Sequence, residues 1–190
     1  MDLGISEKVA PLLQRVRSFI NEQVMPVEHE FVAEIEVDDP FVLTDRQTEI
    51  LSSLKSQARE AGLWNFFLTG EEGSGLNTVE YAYLAEEMGK SRLAAEVFNC
   101  SAPDTGNMEV LHKYGSEAQK KQWLEPLLAG EIRSCFGMTE PDVASSDATN
   151  ISPLRTGGLL SFQPTEYSFL ETISIALMTP QRWLKPPPDG

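Results

Sequence analysis

The chain has 190 residues, 29 of them acidic and 15 basic, with a formal net charge of -14 and 41% apolar side chains. That balance supplies a core but opposes sequence-independent binding of DNA or RNA, which needs a positive surface. No apolar run approaches the roughly 18 residues of a membrane-spanning helix, so no transmembrane segment and a soluble chain are expected. The length allows one domain, or one domain and the beginning of another.

Val9, Leu12, Leu13, Val16, Phe19, Ile20 and Val24 recur at helical spacing and predict a helix ending near Pro26, with Pro11 in its first turn. An acidic connection from Glu28 to Asp39 should follow. Thr44 and Gln47 make a capping-box pattern opening a helix that buries Ile50, Leu51, Leu54, Ala58 and Ala61, and Gly62 stops it. Leu63 to Leu68 is an apolar cluster. The loop from Gly70 to Gly75 holds Glu71 and Glu72, which would repel a phosphate, so it reads as a connector. Thr78 is the expected cap of a helix over about Val79 to Met88, closed by Gly89. Arg92 to Cys100 reads as another helix. Pro103 to Tyr114 follows, with Met108, Val110 and Leu111 on its apolar side, until Gly115. Ser116 and Gln119 form a second capping box before a last helix over about Glu117 to Ala129, bent at Pro126.

The period then changes. Phe136 and Met138 alternate with Cys135 and Gly137 as in a short strand, which Pro141 ends. The turn beyond it can present backbone N–H groups and the hydroxyls of Thr139, Ser145 and Ser146 to the carbonyl-rich edge of a planar ring or to a phosphate. Composition shifts next: residues 1–150 hold 26 acids and 12 bases, whereas residues 151–190 hold three of each and six of the 12 prolines. This tail reads as extended and poorly ordered, with one ordered possibility, a short helix over Thr172 to Met178 opened by Ser168 and Glu171. The expected fold is mainly α, a helical bundle over residues 1–130, then the first strand of a β domain over 131–151, then an irregular tail over 152–190.

Few other residues suggest chemistry. His29 and His112 have no metal-ligand companions and read as surface or packing residues; no metal site is expected. Trp64 and Trp123 read as core or interface aromatics, and Met88 and Met108 as core. Ser101 to Gly106 reads as a helix entrance. Two cysteines, Cys100 in an apparent helix and Cys135 in the strand, imply a reducing, intracellular compartment. Asp2 and Glu7 near the start suit neither a secretory signal nor an Arg-rich transit peptide.

Met138-Thr139-Glu140-Pro141 followed by Ala144-Ser145-Ser146-Asp147 resembles the flavin-site signature of acyl-CoA dehydrogenases. Upstream, Tyr114 to Leu124 and Pro126 to Glu131 resemble the helix that leads into that strand in the same family. Residues 98–151 are most like the branch called family members ten and eleven. The resemblance implies an N-terminal helical domain, the start of a middle β domain and FAD as cofactor. It also implies an acyl-CoA substrate, oxidised when a carboxylate base takes the α proton and flavin accepts the β hydride. Carried over by position, Phe136, Met138 and Thr139 would contact the flavin ring, and Ser145 and Ser146 would reach the pyrophosphate. Ser146 aligns best with the serine that also touches acyl-CoA, although one extra residue after Pro141 leaves the choice between Ser145 and Ser146 open. Asp147 reads as a turn-stabilising acceptor and Glu140 as structural.

After Ile151 the sequence departs from the family pattern. In the family, the region beyond supplies the catalytic glutamate, much of the FAD surface and the subunit contacts, so no residue here is assigned as catalytic base. The expectation is a truncated FAD-dependent acyl-CoA dehydrogenase, inactive alone, with an alternative C-terminus from splicing, a frameshift or a gene-model error. The alternative is a non-catalytic helical module or decoy that joins full-length subunits. Mitochondrion or peroxisome is the family precedent in a eukaryote.

Overall fold

Val9, Leu13 and Val16 fall at i, i+4 and i+7, and all three are buried on one face of α1 (Val9–Phe19). The helical path does not stop at Pro26. It widens into a π turn over Ile20–Val24 and continues as α2 (Met25–Glu34). A proline inside an α-helix lacks an N–H and crowds the carbonyl four residues back. Here the Met25 N–H bonds to the Ile20 carbonyl five residues back, and the wider turn accommodates the proline. Residues 28–34 of the expected acidic connection are therefore helical. The computed structural model describes residues 3–34, 42–137 and 174–178. The chain divides into two compact units, one up to Thr105 and one from Gly106.

Among the described residues, the regular elements of the first unit are all helices. α3 (Asp45–Glu60) opens with the expected capping box, in which the Thr44 hydroxyl accepts from the Gln47 N–H and the Gln47 side chain accepts from the Thr44 N–H. Gln47 does more than cap. It is buried, and its amide donates to the Phe31 carbonyl at 2.9 Å, tying α2 to the start of α3. Ile50, Leu54 and Ala58 are buried as expected, whereas Leu51 and Ala61 are half-buried. Gly62 ends the helix with φ +66°, a conformation that costs a side chain about 1–2 kcal/mol. Leu63, Phe66 and Phe67 of the following cluster are buried, and so is Met88.

α4 (Thr78–Met88) is capped by Asn77, one residue earlier than expected, because Glu80 lies three positions after Asn77 and completes the reciprocal box. The expected helix from Arg92 shrinks to one turn, α5 (Ala94–Val97), and Cys100 lies beyond it. α4 packs on α1. At one end of this seam the Ser6 hydroxyl donates to the buried Glu80 carboxylate at 2.6 Å; at the other, Arg17 donates to the buried Glu87 at 2.5 Å and Lys90 adds bonds at 2.8 and 2.9 Å. Start pairs with start and end with end, so the two helices run parallel.

The second unit contains most of α6 (Asp104–Tyr114), then α7 (Glu117–Gln119), a π turn over Lys120–Leu124 and α8 (Glu125–Leu128). Met108 and Leu111 of α6 are buried, but Val110 is exposed, contrary to the apolar-face expectation. The Ser116–Gln119 capping box is present. Pro126 repeats the solution found at Pro26: the Glu125 N–H reaches back five residues to the Lys120 carbonyl. β1 (Arg133–Gly137) pairs antiparallel with β2 (Ser174–Met178), Cys135 opposite Ala176. Residues 174–178 are thus a strand, not part of the expected short helix. An isolated helix that short does not offset its nucleation cost, whereas a segment containing β-branched Ile175 gains ladder hydrogen bonds from β1.

The carboxyls of Glu80 and Glu87 are held below their ordinary value of 4.5, chiefly by hydrogen bonds from Ser6 and the Asn77 backbone in one case and from Arg17 in the other. Between the lowered and ordinary values the unfolded chain binds more protons than the folded one. The stabilisation is therefore complete above pH 4.5 and is lost as pH falls through the folded values. Thermal melts followed by circular dichroism should show a melting temperature that drops below about pH 4.5. Glu87→Gln should lower it at pH 7 and flatten the acid drop; an acid profile parallel to wild type would count against this role.

Candidate functional site

The connection into α6 is built from residues that sequence reading passed over. Phe98 is fully buried, with its ring 5.4 Å from that of Phe19 and 5.8 Å from that of Phe66. Its carbonyl accepts from the Asn65 N–H at 3.0 Å. Asn65 and Asn99 have φ of 56° and 54°, the left-handed region that asparagine enters more readily than other side-chain-bearing residues. The Asn99 amide donates to the Asn65 side-chain carbonyl at 2.7 Å. Two bent backbones thus brace each other across 34 positions of sequence. The signal was present in the sequence, since each asparagine sits where a helical or apolar run breaks.

Cys100 follows in this bend. Burial pushes its thiol up to about 11, partly offset by hydrogen bonding to the Phe67 and Phe66 backbone and to Tyr81, so at neutral pH it is protonated and a poor nucleophile. The Ser101 to Gly106 stretch is a helix entrance, as expected: the Thr105 N–H bonds to the Ser101 carbonyl at 3.2 Å and α6 begins at Asp104.

In the second unit, Asn107 and Ser134 are both buried. The Asn107 amide donates to the Ser134 hydroxyl at 2.9 Å and to the Cys135 carbonyl at 3.2 Å, joining α6 to β1. This clamp is not visible in a periodicity reading, which discounts a polar residue on an apolar helix face. Of the residues expected to bind cofactor or substrate, Phe136 lies in β1; Met138, Thr139, Ser145 and Ser146 lie outside the described residues, as do Glu140 and Asp147. His29 is exposed and His112 half-buried. Among the described residues no group of three or more His, Cys, Asp or Glu side chains could hold a metal ion.

Comparison with known proteins agrees with the helical part of the fold. The family model described as acyl-CoA dehydrogenase, N-terminal domain, matches residues 6–131. The chain belongs to the acyl-CoA dehydrogenase family, whose members are oxidoreductases. It is 53% identical over 152 residues to human acyl-CoA dehydrogenase family member 11, covering 77% of this chain and 18% of that protein. It is 49% identical over 154 residues to mouse acyl-CoA dehydrogenase family member 10, covering 78% of this chain and 14% of that protein. A solved structure from Mycobacterium abscessus, assigned as an acyl-CoA dehydrogenase, is 55% identical with a TM-score of 0.68 over 78% of this chain and 38% of its own. The chain therefore spans 14–18% of the length of the curated relatives just named.

The bracing asparagines give a graded expectation. Asn99→Gly keeps the left-handed backbone and loses the side-chain bond, for a loss of about 1 kcal/mol. Asn99→Ala adds backbone strain, for about 2–3 kcal/mol in all. Urea unfolding of both variants checks the order, and equal losses would show that the positive φ carries no strain.

Proposed function

We propose that this chain forms the flavin-binding entrance of an FAD-dependent acyl-CoA dehydrogenase, and that alone it binds FAD without turning over acyl-CoA. The observation that carries the reading is that β1, with Phe136 in it, leads directly into the sequence Met138-Thr139-Glu140-Pro141, in a chain whose helical part matches the family. The donor set suits the cofactor. Extended backbone at Phe136 and the main chain and hydroxyl of Thr139 supply neutral donors and acceptors to a flavin ring, and Ser145 and Ser146 supply hydroxyls to its pyrophosphate. Bound flavin supplies hydride acceptance; this chain's residues bind and orient. Ser146 is the residue proposed to touch the acyl-CoA as well.

Glu30, Glu80 and Glu87 are each held below the ordinary carboxyl value by hydrogen-bonding partners, which suits capping and ion-pair roles and not that of a base acting near neutral pH. The proposed base is the glutamate supplied by the family's C-terminal region. Free Cys100 and Cys135 suit a reducing, intracellular compartment. Partners proposed on the same grounds are acyl-CoA and full-length dehydrogenase subunits.

Titrating the purified chain with FAD, read by flavin fluorescence and by melting temperature, should give a saturable shift, because a ligand bound only to the native state raises its stability. A dye-linked assay with acyl-CoA should give no turnover. Absence of any shift would overturn the flavin reading, and measurable dehydrogenation would overturn the inactivity.

A further inference from the structure

We propose that Asn107 is a positioning residue that fixes the register of β1 against α6, and with it the place of the Phe136 backbone proposed to meet the flavin ring; the inference rests on the flavin reading above. A buried asparagine inside a helix is disfavoured by propensity, so it needs compensating bonds. Both hydrogens of its amide are used on neighbouring strand residues, one on the Ser134 hydroxyl at 2.9 Å and one on the Cys135 carbonyl at 3.2 Å. Chemistry settles which way the amide faces, because a main-chain carbonyl only accepts and the amide must present its NH2 group to the strand.

The grip is specific to one register. Successive strand residues point to opposite faces, and a one-residue slip moves the chain by about 3.3 Å. Hydrogen bonds tolerate only a few tenths of an ångström around 2.9 Å. A slip would bring Arg133 or Cys135 to the place of Ser134, and neither carries a hydroxyl. The pairing of β1 with β2 cannot do this work, since a two-stranded ribbon can slide as a unit along a helix. Asn107 ties the ribbon to α6 at Ser134, two residues before Phe136 in the same strand. A displacement at Ser134 would therefore be carried along the strand to the backbone of Phe136, two residues on.

The full chain carrying Asn107→Ala, Asn107→Leu, Ser134→Ala or Ser134→Thr tests this by amide hydrogen exchange of residues 133–137, by FAD affinity and by melting temperature. Both Asn107 variants should exchange faster in β1 and bind FAD at least about tenfold more weakly, a difference of about 1.4 kcal/mol. Ser134→Thr, which keeps the hydroxyl, should recover most of what Ser134→Ala loses, and the Ser134 pair decides the matter if the Asn107 variants do not fold. Unchanged exchange in β1 would overturn the inference. Faster exchange with unchanged FAD affinity would also overturn it, because the clamp would then be structural only. If wild type binds no FAD, the flavin reading falls, and the exchange arm still decides the register.

Discussion

The first unit depends on the burial of one ring. Phe98 is fully excluded from water and meets Phe19 at the end of α1 and Phe66 in the cluster after α3. Those partners come from segments that share no local sequence signal, and Phe98 closes between them in the core. The two tilted aromatic pairs add roughly 0.5–1.5 kcal/mol each beyond the area removed from water. Everything immediately downstream is bent: Asn99 turns the chain with a positive φ, Cys100 is sealed in, and α6 starts at Asp104. The ring thus anchors the point from which the chain leaves its helical unit.

Around that centre, polar groups decide alignment more than they add stability. α1 and α4 could slide along an apolar seam, since one leucine or valine resembles another at the next turn. Glu80 and Glu87 prevent this by each needing a specific donor, Ser6 in one case and Arg17 in the other. A buried carboxylate left without its partner is strongly destabilising, so only one alignment is tolerable. Gln47 with the Phe31 carbonyl does the same for α2 and α3. Asn107 repeats the principle between a helix and a strand.

The legible parts of the sequence were those written locally. Thr44 with Gln47 and Ser116 with Gln119 are complete instructions within four residues, and both boxes formed. The same rule, applied one residue late, missed Asn77, since Thr78 is also a good cap and only the spacing to Glu80 separates them. Pro26 was read as a stop because an α-helix cannot hold it; the π turn that admits it leaves no mark on hydrophobic spacing. The segment ending at Met178 was read as a helix from its own residues, but its conformation is set by β1, some 40 positions away. Of the site, the signature from Met138 onward was readable as a motif, while the supports that lead to it were not. Asn65 and Asn99 show in the sequence only as breaks in helical or apolar runs, and their partnership, like that of Asn107 with Ser134, joins positions too distant for periodicity to display.

The claim on which the rest stands is that Phe98 organises the helical unit. Urea unfolding of Phe98→Ala, followed by tryptophan fluorescence and far-ultraviolet circular dichroism, tests it most directly. Loss of a fully buried phenylalanine should destabilise the chain by about 3–5 kcal/mol. A loss below about 1 kcal/mol, the size typical of surface changes or smaller core trims, would contradict the account.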